Sequence, residues 1–169
     1  MNSNSQPSVY FDLVAHLLHA CHERDRRIFE SCFQATSDYG WDRGPSLLIH
    51  LAATSVIDSI HDGGLWASFS DEWINNWQYY VENRHSIWGN VPNDLVRSVV
   101  LVARGDIEEV SEVGRAGRAI WQLLFIESVA DNLYGTDSGK IYDFYTALFL
   151  QAEDSILQMA DNGMLSFEP

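Results

Sequence analysis

The sequence predicts an all-α fold: a single-domain bundle of about six helices joined by short loops. Apolar residues recur with the 3.6-residue period of an α-helix along nearly the whole chain. No segment alternates apolar and polar residues for long enough to indicate a β-strand. Glycine, proline and helix-capping residues divide the periodic pattern into separate segments. Because the intervening loops are short, consecutive helices are expected to pack as antiparallel neighbours.

The first half of the chain is predicted to form three helices. Helix one covers about Ser8–Thr36 as one continuous helix with a single apolar stripe. Helix two begins at Pro45, because proline is favoured at the first helical position, and ends at Gly63-Gly64. Helix three begins after Ser70, a typical N-cap residue.

The second half is predicted to form three more helices. Helix four covers about Pro92–Arg104 and ends at a glycine. Helix five starts at Asp106 with a capping-box pattern and continues to about Tyr134. Helix six covers Gly139 to about Asp161. These boundaries give one domain over residues 8–163, between a disordered N-terminus (residues 1–7) and a C-terminal tail (residues 164–169).

The cysteines and the N-terminus both favour a cytoplasmic protein. A continuous helix one would separate Cys21 and Cys32 by roughly 16 Å, at about 1.5 Å per residue. A disulfide requires Cα atoms within about 7 Å, so two reduced thiols are expected. The first residues lack the basic and apolar regions of a secretory signal. The longest apolar runs fall far short of the roughly 20 residues of a membrane helix.

The charge of the chain is strongly negative and unevenly placed. The 169 residues carry 24 acidic side chains and 10 Lys or Arg, a formal net charge of −14. This balance disfavours binding to nucleic acid or to anionic lipid. The segment from Ala119 to Pro169 has eight acidic residues and a single base, Lys140. This segment therefore carries half of the net charge of the chain. At about 100° per residue, Asp143, Asp154 and Asp161 fall near one line on helix six.

The leading functional hypothesis is a non-enzymatic binding protein that occludes a basic site on a protein partner, such as a nuclease. Inhibitors, immunity proteins, antitoxins, anti-defence proteins and DNA mimics work in this way. Opposite charge steers the encounter, and a few aromatic anchors supply affinity. The residues assigned to this surface are Glu127, Asp131, Asp143, Glu153, Asp154, Asp161, Tyr79 and Trp88. No cofactor, metal ligand or catalytic residue is assigned.

Two other functions stay open at this point. Helix six is apolar nearly all round between Ile141 and Leu150, which is also typical of a homodimer or an assembly subunit. An acidic surface can also be an adaptation for solubility or high salt. The second alternative function is a metal-dependent nucleotide hydrolase, for which the sequence offers two motifs.

The first of these motifs is a pair of carboxylate clusters. Glu108-Glu109-Val110-Ser111-Glu112, followed by Glu127 and Asp131, resembles the EExxE and ExxD pair of MazG-like nucleotide pyrophosphatases. The resemblance implies carboxylates that hold Mg²⁺ against a triphosphate. It covers about 24 residues, and Ser128 stands where the second motif has a glutamate.

The second motif is the doublet His61-Asp62, which is similar to the signature of HD-type phosphohydrolases. Such a site needs a further upstream histidine and a helix that continues past the doublet. Here Gly63-Gly64 follows at once.

Overall fold

The computed structural model describes residues 8–62 and 115–167. These residues form five α-helices and one short 3₁₀ helix, without a strand, and the predicted all-α class is confirmed. The predicted helices three and four, the first turns of helix five and the terminal residues 1–7, 168 and 169 lie outside the described residues. The helices are α1 (Val9–Glu23), α2 (Arg26–Tyr39), α3 (Pro45–Asp62), α4 (Arg115–Tyr134) and α5 (Ser138–Asp161), and the 3₁₀ helix is Trp41–Arg43.

The prediction of one continuous first helix is wrong. Helix α1 ends at Glu23, and the next residue, Arg24, adopts a left-handed conformation with φ of 56°. Asp25 then caps the second helix, since its carboxylate accepts a hydrogen bond from the Ile28 N–H at 3.0 Å. The apolar stripe continues across this break because α2 packs against α1, so that apolar residues of both helices belong to the same hydrophobic core. Residues 8–62 and 115–167 therefore contain five helices where the sequence predicts four, and the other two predicted helices lie outside the described residues.

The core lies between α1, α3, α4 and α5. Helix α3 packs against both α4 and α5, and α1 contacts α3 and α4. The largest fully buried side chains of this core include Tyr10, Leu17, Leu48, Ile49, Phe125 and Ile156. Among the described helices, none is long and apolar enough to cross a membrane.

The C-terminal residues 164–167 return to this core. Leu165 and Phe167 pack against it, and the Phe167 ring meets the Tyr10 ring edge-on with centroids 6.5 Å apart. The 3₁₀ helix and Gly44 lie in the same region, with Gly44 directly against Tyr10. The start of α3 and residues 164–167 are thereby brought to one side of the bundle.

Candidate functional site

The outer side of α5 carries a line of exposed acidic side chains. Asp143, Asp154 and Asp161 are all exposed, and Leu150 between them is 45% exposed. We call these four residues the acidic face. The opposite side of α5 is buried, through residues such as Ile141, Leu148 and Ile156. At about 1.5 Å per residue, the acidic face extends about 27 Å along the helix.

Two of the predicted surface carboxylates lie inside the protein. Glu127 is 1% exposed and Glu153 is 7% exposed, so neither contributes to the acidic face. Asp131 is half-buried on α4, and Tyr79 and Trp88 lie outside the described residues. Of the eight residues assigned from sequence, the structure therefore brings three together on one exposed line.

Glu153 is buried at the N-terminus of α1, where its side chain caps that helix. Its carboxylate accepts hydrogen bonds from the Ser8 N–H at 3.0 Å and from the Ser8 hydroxyl at 2.7 Å. Ser8 is the N-cap residue of α1, yet its own side chain makes no capping bond within that helix. An anion near a helix N-terminus is favoured by the helix dipole, so the carboxylate from α5 performs the capping.

Glu127 is buried beside a histidine. Its Oε1 lies 3.9 Å from His22 Nδ1, and the His22 side chain is 15% exposed. Burial, followed by the nearby Glu127 charge, raises the pKa of the Cys21 thiol. This carboxylate is thus part of the interior between α1 and α4.

A groove with a volume of about 380 Å³ runs between α1 and α5, beside the acidic face. We call it the aromatic groove. It is mostly apolar. It lies next to the acidic face because Thr146, one of its lining residues, is three positions after Asp143 and four before Leu150, and residues at these spacings are neighbours on a helix. Its lining includes Phe11, His16, His19, Tyr142, Tyr145 and Phe149.

The wall of the aromatic groove is held by ring contacts. The Tyr142 ring stacks on His19 with centroids 5.4 Å apart and meets His22 edge-on at 5.3 Å. The Tyr142 hydroxyl donates a hydrogen bond to Glu23 at 2.9 Å. Burial, then this hydrogen bond and the Glu23 charge, raise the pKa of Tyr142 to about 12. Tyr142 is therefore held in place by contacts with α1.

Sequence reasoning missed this groove. The histidines of helix one are spaced three residues apart, which does not place them all on one side of that helix. His19 stacks on Tyr142 of α5 and His16 lines the groove, but a contact between residues more than 120 positions apart leaves no pattern in a single sequence.

The motifs that suggested an enzyme lie largely outside the residues that the structure describes. Residues 108–112 and the side chains of His61 and Asp62 are outside the described part of the chain. Within residues 8–62 and 115–167, no group of three His, Cys, Asp or Glu side chains is placed to hold a metal ion. The hydrolase functions stay predictions from sequence.

Comparison of the chain with protein-family models, with curated proteins and with solved structures gives no match. The functional argument therefore depends on the geometry of the chain itself.

Proposed function

We propose that this protein is a non-enzymatic binding protein that occludes a basic surface of a partner protein. The observation that carries the proposal is the acidic face, where Asp143, Asp154 and Asp161 are exposed in one line around the exposed Leu150. The same face belongs to the most acidic part of a chain whose net charge is −14.

The charge and the apolar surface have different roles in this proposal. The three aspartates steer a basic partner toward α5 and set its register, since opposite charge increases the rate of encounter. Leu150 and the aromatic groove supply the desolvated contacts that give affinity, because a few apolar and aromatic anchors dominate binding energy. A partner with Lys or Arg around an apolar side chain fits both features.

The partner is proposed to be a different protein rather than a second copy. A symmetric dimer through the acidic face would place aspartates of one chain near those of the other, and like charges at an interface oppose association. The basic sites of nucleases and other nucleic-acid-binding proteins are suitable targets, because aspartates can take the place of phosphates there.

Affinity capture from the native host tests this proposal with two variants of equal charge change. The first variant reverses the acidic face (Asp143→Lys, Asp154→Lys, Asp161→Lys). The matched control reverses Glu30, Asp38 and Asp58, which are also exposed and lie on α2 and α3. A partner retained by the wild type and by the control, but held at least about tenfold more weakly by the first variant, supports the proposal.

Salt supplies the second readout of the same experiment. Capture through the acidic face should weaken as ionic strength rises, because exposed charges are screened within about 10 Å at 0.1 M salt. The proposal is overturned if the retained protein binds both variants equally, or if its affinity does not change between low and high salt. A dimer that persists in the wild type and dissociates in the first variant also overturns it.

A further inference from the structure

We propose that a second cavity, at the N-terminal end of α3, binds a small apolar monocarboxylate. This cavity has a volume of about 280 Å³ and lies between the start of α3, α4 and the C-terminal residues 164–167. It shares no lining residue with the aromatic groove, and the inference is independent of the proposed function.

The polar end of the cavity contains a buried hydroxyl that lacks a partner. Ser46 is 7% exposed, and its Oγ is buried without a hydrogen-bond partner within the described residues. Ser46 is the second residue of α3, an 18-residue helix whose positive end therefore lies at the cavity. Helix N-termini bind anions through their free N–H groups. Pro45 has no N–H and the Leu48 N–H is bonded to the Gly44 carbonyl, so the donors at this end of α3 are the N–H groups of Ser46 and Leu47 together with the Ser46 hydroxyl.

Arg118 from α4 supplies the positive charge. It is half-buried and lines the cavity, and no carboxylate of the described residues lies within 4.0 Å of its guanidinium. An arginine in this position offers a planar set of donors that matches the two oxygens of a carboxylate.

His50 completes the donor set as a neutral ring. Burial, followed by the charge of Arg118, lowers the pKa of His50, which keeps the ring neutral near pH 7. Its Nδ1 lies 3.2 Å from Gln122 Nε2. With the amide as donor in this contact, Nδ1 accepts and the opposite nitrogen, Nε2, carries the proton.

The charges of the lining favour a monoanion over a dianion. Arg118 is the single positive side chain among the described lining residues, His50 is neutral and Asp42 is negative, so the charges oppose a ligand with one negative charge less than they oppose a dianion such as phosphate. The remaining walls are largely apolar, with Trp41, Leu47 and Phe167 among them. The volume is near the lower end of the roughly 300–1,000 Å³ of ligand sites, so the ligand is small.

Titration of the full chain with simple anions tests the inference. The probes are sodium benzoate and sodium hexanoate, compared with acetate, inorganic phosphate and uncharged benzyl alcohol. We expect benzoate or hexanoate to shift the NMR signals of the His50 ring and the Arg118 side chain in a saturable manner. Bound carboxylate should also raise the pKa of His50, because its charge offsets that of Arg118.

Variants identify the groups that bind. Arg118→Gln should weaken benzoate or hexanoate binding by about 10- to 100-fold, the usual effect of losing a charge-assisted hydrogen bond. Ser46→Ala should weaken it by about tenfold. Arg27→Gln, which removes an exposed arginine of α2, is the matched control and should leave affinity unchanged. Arg118→Lys is the substitute if Arg118→Gln does not fold, and it should also bind more weakly than the wild type.

Several outcomes would overturn the inference. They are the absence of saturable shifts at His50 with either apolar carboxylate, equal binding by the wild type and both Arg118 variants, and binding of benzyl alcohol as tight as that of benzoate. Phosphate that binds more tightly than benzoate would contradict the selection of a monoanion.

Discussion

The carboxylate of Glu153 in α5 accepts two hydrogen bonds from Ser8, the residue at the N-cap of α1. The two residues are 145 positions apart in the chain, and their contact joins the first described helix to the last. An acidic residue that the sequence assigns to a partner surface is therefore a structural cap. The aspartates of the acidic face are exposed, and their side chains make no hydrogen bond or ion pair within the described residues.

Loss of the Glu153 carboxylate should destabilise the protein. Glu153→Ala removes two hydrogen bonds to a charged acceptor, so we expect the free energy of unfolding to fall by about 2–4 kcal/mol. Glu153→Gln keeps an acceptor oxygen and should lose less than half as much. The measurement is chemical denaturation, with Asp154→Ala, an exposed neighbour, expected to change stability by less than about 0.5 kcal/mol. Equal losses for Glu153→Ala and Asp154→Ala would contradict the capping role.

Gly44 should not tolerate a side chain. Its φ is 137°, and a Cβ at this position would lie 2.5 Å from Cδ1 of the buried Tyr10 ring. Gly44→Ala combines backbone strain with a clash against a fully buried ring, and should cost about 3 kcal/mol or more.

Gly163→Ala is the matched control for this substitution. Gly163 also has a positive φ, of 68°, but a Cβ there meets nothing within 4 Å. Its expected cost is about 1 kcal/mol, from backbone conformation alone. If thermal or chemical denaturation gives the two variants the same stability, the contact of Gly44 with Tyr10 is not restrictive.

The two cysteines should react at very different rates with a thiol reagent. Both are free thiols, with Cys21 fully buried and Cys32 half-buried. Burial raises the pKa of both, which lowers the fraction of reactive thiolate. In the native protein we expect slow modification of Cys32 alone, and no modification of the native Cys32→Ser variant. Cys21 should be modified only after the protein is unfolded. Prompt reaction of Cys32→Ser would show that Cys21 is accessible.

Tyr142 should make stability fall in alkaline solution. Its pKa in the folded protein is raised to about 12, above the ordinary value of about 10 in the unfolded chain. The unfolded chain therefore loses its proton first, and the contribution of Tyr142 to stability is complete below pH 10 and declines between about pH 10 and 12. Tyr142→Phe should remove this part of the pH dependence.

The ionisation of Tyr142 itself provides a second measurement. In a spectrophotometric titration of the tyrosines, Glu23→Gln should lower the pKa of Tyr142, since it removes the acceptor charge beside the hydroxyl. A Tyr142 that ionises near pH 10 in the wild type would contradict the predicted effect of its surroundings.

Local signals in the sequence were sufficient for most helix boundaries. Helix α3 begins at Pro45, α4 ends at Tyr134 and α5 ends at Asp161, as the proline and glycine positions predict. The line of Asp143, Asp154 and Asp161 was also predictable, because helical periodicity alone sets which residues share a side of α5. The break after Glu23 was missed, since the cap at Asp25 lies within an apolar stripe that continues on both sides of it.

The sequence by itself determined the all-α class and the acidic side of the last helix, because period and capping depend on residues within a few positions of each other. Only the tertiary structure decided which carboxylates are exposed. Glu127 and Glu153 are buried where α4 and α5 meet α1, and Glu127 lies beside His22 while Glu153 accepts hydrogen bonds from Ser8. The aromatic groove and the cavity beside Arg118 arise in the same way, from helices that meet only after the chain has folded.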